Sequence, residues 1–122
     1  MLIEKAYAKA YGSYMTIEGR GGSPTEALRD LTGAPCESRS HDKLTENELW
    51  DYLHGAEIKN WILACGTNTA AIREEKNELG LRAGHAYSIL DSVELETSNG
   101  NIRIVQIRNP WAFVLPFKCD DF

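Results

Sequence analysis

The 122-residue chain is short of several things, and each shortage excludes a class of protein. No apolar run approaches the roughly 20 residues that cross a bilayer. The opening stretch MLIEKAYAKAYGSY interleaves charges with its apolar residues, so it does not read as a secretory signal. Basic charge is scarce: 13 Lys and Arg stand against 18 Asp and Glu, a net charge of −5. A nucleic-acid binder or a polybasic membrane anchor needs the opposite balance. Cysteine is rare and irregularly spaced. Cys36, Cys65 and Cys119 form an odd set with no CxxC, which excludes a disulfide framework and a zinc site and suits reduced thiols in a cytoplasmic protein. Repeats and low-complexity segments are missing as well. What remains, 43% hydrophobic and 25% charged residues, is the balance of a soluble globular protein, at a length that suits one domain over residues 1–122.

The apolar pattern places helices first and strands second. Leu2 to Tyr11 reads as a helix that Gly12 and Ser13 stop. Gly19 to Gly22 read as a turn. Ser23-Pro24-Thr25-Glu26 opens a short second helix with a capping box and Pro at the first helical position, ending by Gly33-Ala34-Pro35. Cys36 to Lys43 reads as a polar loop. A further helix starts at Thr45, whose box partner is Glu48, and turns Leu49, Tyr52, Leu53 and Ala56 towards a core. Trp61 to Gly66 reads as a buried strand, Thr67 to Arg82 as a surface loop, and His85–Leu95 and Ile102–Arg108 as two more strands. Asn99-Gly100 marks the hairpin between them. Alternation sorts Ile102, Ile104, Gln106 and Arg108 onto one face of the last strand and Arg103, Val105 and Ile107 onto the other. This order predicts an α+β fold with an antiparallel sheet.

Two polar residues stand at the strand ends. His85 follows Gly84 at the start of one strand; Asn109 ends the next, where Pro110 stops the ladder. A four- to five-residue hairpin loop around Asn99 brings the two together at one rim of the sheet, and a bulge would shift that register. An asparagine oxygen accepting from one imidazole N–H fixes the ring's tautomer and leaves the other nitrogen free as a base. That is the supporting half of a Cys-His-Asn system with a thiolate nucleophile. The plain alternative is a hydrogen-bonded surface histidine. It is the preferred reading for His41 and His54, as a core plug is for Trp111 and a solvated face for Glu74, Glu75 and Glu78.

The segments Gly84-His85-Ala86-Tyr87-Ser88-Ile89 and Ile107-Arg108-Asn109-Pro110-Trp111 resemble the His and Asn motifs of the calpain family of cysteine proteases. Leu2 to Lys9, Gly12-Ser13-Tyr14, Gly21-Gly22 and Asp30 to Gly33 resemble, in the same order, the opening of that family's second protease-core subdomain. The resemblance implies a papain-like half-core in which His85 is general base and acid, Asn109 orients it, Trp111 shields their hydrogen bond and Gly84 offers backbone to the substrate. It also implies protein substrates, control by calcium, a mobile loop at Thr67 to Arg82, and a partner half carrying the nucleophile.

The chain departs from that pattern in two places. Nothing in it matches the family's Gly-x-Cys-Trp. Cys36 precedes Glu37 in a polar loop, Cys65 ends an apolar strand, and Cys119 precedes two aspartates that raise a thiol pKa. The Asn-Pro-Trp is followed by Ala112 in place of glycine, then by apolar residues up to Phe117, and no set of six to eight calcium-binding oxygens emerges. The expectation is the His/Asn-bearing half of a calcium-dependent endopeptidase, inactive alone. The alternative is a non-catalytic calpain-like interaction or regulatory module.

Overall fold

The computed structural model describes residues 2–20, 22–67 and 80–111. They fall into two compact units divided between Ser40 and His41.

The first unit holds three helices, α1 (Leu2–Ala10), α2 (Tyr14–Arg20) and α3 (Pro24–Thr32). Helix α2 is absent from the sequence expectation, which takes Ser13 as a stop. Ser13 is instead a start: its hydroxyl accepts from the Thr16 amide at 3.1 Å, capping the next helix. At α3 Pro24 takes the first turn as expected, but Ser23 makes no side-chain capping bond. The expected box is therefore not formed, and a left-handed Gly33 ends the helix. Tyr7 and Tyr11 stack at 4.7 Å. Both hydroxyls donate to Asp30 and tie α1 to α3. The Tyr11 hydroxyl, with lesser help from Tyr7 and Arg29, holds the Asp30 carboxyl below the usual range.

The second unit opens with a 3-10 turn at His41–Lys43 and continues into α4 (Glu46–Ile58). Its start is the expected capping box. Thr45 Oγ1 accepts from the Glu48 amide at 3.3 Å, and Glu48 Oε2 accepts from the Thr45 amide at 2.8 Å. Its end is a Schellman motif: Trp61 N–H reaches the Ala56 carbonyl at 3.0 Å and Asn60 N–H that of Glu57 at 2.7 Å. Asn60 takes the left-handed conformation this needs (φ +55°). That reversal consumes Trp61, so β1 begins only at Leu63, later than the apolar run suggests, and Trp61 and Ile62 are exposed.

Strands β1 (Leu63–Gly66), β2 (Ala86–Thr97) and β3 (Gly100–Arg108) form an antiparallel sheet in the order β1-β2-β3. With the helices before it, the sheet makes the α+β class expected. The hairpin is tighter than the expected four- to five-residue loop. Thr97 pairs with Gly100 across Ser98-Asn99, and Gly100 supplies the positive φ of +116°. A bulge falls at Leu90, between the pairs Ile89–Ile107 and Asp91–Gln106.

The predicted alternation of β3 holds, with Arg103, Val105 and Ile107 on its more buried face. Among the described residues of this unit, Trp50 and Ala56 of α4 and Tyr87 and Ser92 of β2 are buried. Trp50, the largest of them, is not among the expected core positions. Its ring stacks on His54 at 5.5 Å with Arg103 above it at 5.2 Å. The opposite face, with Val93, Leu95, Ile102 and Ile104, is 40–52% exposed.

Candidate active site

The rim where β1 ends, β2 begins and β3 ends carries most of the polar geometry of the sheet. Beyond the Gly66–Ala86 pair, the Thr67 amide donates to the His85 carbonyl at 3.0 Å and adds one step to the ladder. The Thr67 hydroxyl accepts from the His85 amide at 3.0 Å and lies against the carbonyls of Arg82 and His85. The Arg82 amide donates to the Tyr87 hydroxyl at 2.8 Å. The residues from Arg82 to His85 are thus pinned at both ends. Between the pins Gly84 takes φ +61°, a region where a β-carbon is strained, so glycine suits this turn.

His85 and Tyr87 alternate onto one face of β2. One step past the Ser88–Arg108 pair, Asn109 comes level with Tyr87 and diagonal to His85. The structure brings the two predicted residues together: His85 Nε2 lies 2.8 Å from Asn109 Oδ1. The Trp111 amide donates to the same oxygen at 3.0 Å, which fixes the side-chain amide with its carbonyl towards the imidazole. A carbonyl oxygen only accepts, so Nε2 carries the proton and Nδ1 keeps its lone pair. Among the described residues Nδ1 has no hydrogen-bond partner. Trp111 meets the imidazole at 4.7 Å and Tyr87 at 4.9 Å, both edge-to-face. The Arg82 guanidinium lies 4.7 Å over the indole. The ring is therefore walled by two aromatics and half-buried, and Trp111 itself is 36% exposed.

Thr67, Arg82 and Tyr87 are the site residues that sequence reasoning missed. Thr67 and Arg82 bound a segment read as a surface loop, and Tyr87 sits inside a motif whose histidine draws attention. Residues 68–79 of that loop lie outside the described residues, as does everything from Ala112 on, including Cys119, Asp120 and Asp121.

Two of the cysteines can be placed. Burial pushes the Cys65 thiol up, away from the thiolate that attack requires. The Cys36 thiol is exposed and points to the Ala34 carbonyl at 3.5 Å. His54 is engaged elsewhere: its Nδ1 lies 3.2 Å from the Ser92 hydroxyl and 3.5 Å from Glu57 on its own helix, tying α4 to β2. Among the described residues no three metal-binding side chains converge. The described residues do not fit a calcium site.

A protonated Nε2 held by an amide, with a free Nδ1 beside it, is the imidazole arrangement of Cys-His-Asn thiol hydrolases. Comparison with known proteins gives that class a family. A model described as "Calpain family cysteine protease" matches residues 1–118, and the chain belongs to that family. It is 37% identical over 115 residues to human Calpain-9, covering 93% of this chain and 16% of that protein. It is 37% identical over 111 residues to Calpain clp-1 of Caenorhabditis elegans, covering 90% of this chain and 14% of that one. With the Calpain-type cysteine protease DEK1 of Arabidopsis thaliana the identity is 36% over 117 residues, 5% of that protein. The chain thus spans about a sixth or less of the length of these relatives.

Proposed function

We propose that this chain supplies the histidine and asparagine of a cysteine endopeptidase whose nucleophile resides in another half of the protease core. The observation that carries the reading is the 2.8 Å bond from His85 Nε2 to Asn109 Oδ1, which leaves Nδ1 open. In this reading Nδ1 takes the proton of the partner half's thiol, giving a thiolate–imidazolium pair. The thiolate attacks the peptide carbonyl, and the imidazolium passes its proton to the leaving amine as the acyl-enzyme forms. His85 then draws a proton from water to release the acid. Asn109 holds the ring in one tautomer throughout, Trp111 keeps water from the Nε2–Oδ1 bond, and Gly84 presents backbone to the substrate.

Alone, the chain is inactive, because nothing among its described cysteines offers a thiolate. The assembled protease acts on proteins in the cytoplasm, where thiols stay reduced, a setting that suits the free Cys36 and Cys65. Its calcium dependence is part of this proposal through family membership alone.

The test is reconstitution. The chain is refolded with the nucleophile-bearing half of a calpain-family relative, and hydrolysis of a fluorogenic peptide is followed with calcium and with chelator. Turnover that needs both halves and disappears in His85→Ala supports the reading. Equal turnover by His85→Ala, or thiol-dependent turnover by the chain alone, overturns it.

A further inference from the structure

We propose that Thr67 is a positioning residue that sets the imidazole of His85 through the backbone, an inference that rests on reading His85 as the base. Four polar contacts converge on this residue. Its amide donates to the His85 carbonyl at 3.0 Å, and its hydroxyl oxygen accepts from the His85 amide at 3.0 Å. That same hydroxyl lies within reach of two acceptors, the Arg82 carbonyl and, at 3.2 Å, the His85 carbonyl. A hydroxyl has one proton to give, and the shorter contact is to Arg82.

The side chain therefore does what no backbone group does here. It bridges the first and last residues of the Arg82–His85 turn, whose Gly84 sits at φ +61°. In a regular antiparallel ladder the pair with Thr67 would be completed by the His85 amide donating to the Thr67 carbonyl. Thr67 Oγ1 takes that place as acceptor. The backbone of His85 is thereby fixed on both sides, N–H and C=O, by one residue. Its Cα–Cβ direction, and with it the reach of Nε2 to Asn109, follows. Tyr87 closes the same turn from the other side, through its hydroxyl on the Arg82 amide at 2.8 Å.

The hydroxyl is the operative group, which separates Thr67→Val from Thr67→Ser. Valine keeps the shape and loses both side-chain bonds; serine keeps the bonds and loses a methyl. The readout is the Nε2-bound proton and the ring nitrogen shifts of His85 in the isotope-labelled 122-residue chain, assigned against His85→Gln. In the parent, Nε2 is protonated and its proton exchanges slowly. In Thr67→Val that proton exchanges about two- to tenfold faster, the range a lost net hydrogen bond allows, and the nitrogen shifts move towards a tautomer mixture. Thr67→Ser restores the parent values.

Unchanged His85 signals in Thr67→Val overturn the proposal. So does equal disturbance in Val and Ser, which makes shape rather than the hydroxyl the cause. Global unfolding of Thr67→Val, read from the far-UV spectrum, also counts against it, because a local clamp leaves the α4–sheet unit folded. None of these outcomes touches the proteolytic reading, which reconstitution decides separately.

Discussion

Replacing Trp50 with alanine removes the largest buried side chain that α4 contributes. Trp50 is 8% exposed, and among the described residues of its unit the other buried apolar ones are Ala56 and Tyr87. A methyl from Ala56 and a ring engaged at the rim are little to set beside an indole stacked on His54 and covered by Arg103. Arg103 is itself held by Glu94 at 3.0 Å and by Asn47 at 2.7 Å, so the lid over the indole loses its floor in the variant. Truncating a buried aromatic to alanine costs about 3–5 kcal/mol. Small domains have about 5–15 kcal/mol in total, so Trp50→Ala removes a large part of what holds the unit folded. In urea, where small proteins lose about 1–3 kcal/mol per molar, the midpoint falls by at least about 1 M. Trp50→Phe keeps a ring on His54 and falls less far. Trp61→Ala, at a position 51% exposed, is the control and leaves the midpoint nearly unmoved. The assay is urea unfolding followed by far-UV circular dichroism. A Trp50→Ala midpoint within error of Trp61→Ala refutes the assignment of Trp50 as the core of this unit.

Two further outcomes follow from the polar ties of the same unit. Thr45→Ala breaks the capping box of α4 and lowers stability by about 1 kcal/mol, with Thr45→Ser close to the parent in the same urea assay. The Ser92 hydroxyl, then Asp91 and His54, holds the folded Glu57 carboxyl below its ordinary value of 4.5. The stability it lends is therefore complete above that value and is lost as the pH falls through the lower folded pKa. Glu57→Gln should flatten that acid limb of the stability–pH curve, and an unchanged limb shows the carboxylate is not linked to folding.

Much of the fold is legible in the sequence because local chemistry decides it. The Thr45–Glu48 box, the alternation of β3 and the hairpin at Asn99-Gly100 are each set by a few neighbouring residues. The errors have equally physical causes. Ser13 follows a glycine that ends one helix, and a serine hydroxyl serves a stop or a start depending on whether an amide two or three residues on reaches it. Asn60 turns left-handed without a glycine to announce it, which displaces the start of β1. Trp50 lies beside the expected apolar stripe and not on it, since a helix packed on a sheet presents a broad face. At the site, His85 and Asn109 are legible as a pair, whereas Thr67 acts through its hydroxyl on backbone groups, and no residue pattern marks that.

The meeting of His85 with Asn109 depends on how the strands absorb a single residue that neither motif contains. From Thr97–Gly100 to Asp91–Gln106 the two strands keep one register. Carried on unbroken, that register would set Ser88 opposite Asn109 and put His85 on the other face of the sheet, because side chains alternate with a period of two. The bulge at Leu90 moves the count by one, so that Ser88 faces Arg108 and Asn109 joins the face of Tyr87 and His85. Deleting Leu90 removes the extra residue itself, so Ile89–Ile107 then follows directly on Asp91–Gln106 and the regular ladder still brings His85 to Asn109. Amide signals from Val93 to Ile104 stay close to the parent's, and the slowly exchanging Nε2 proton of His85 persists. Loss of that proton in the deletion variant would mean that the bend the bulge puts into β2, and not strand register, delivers the imidazole to Asn109.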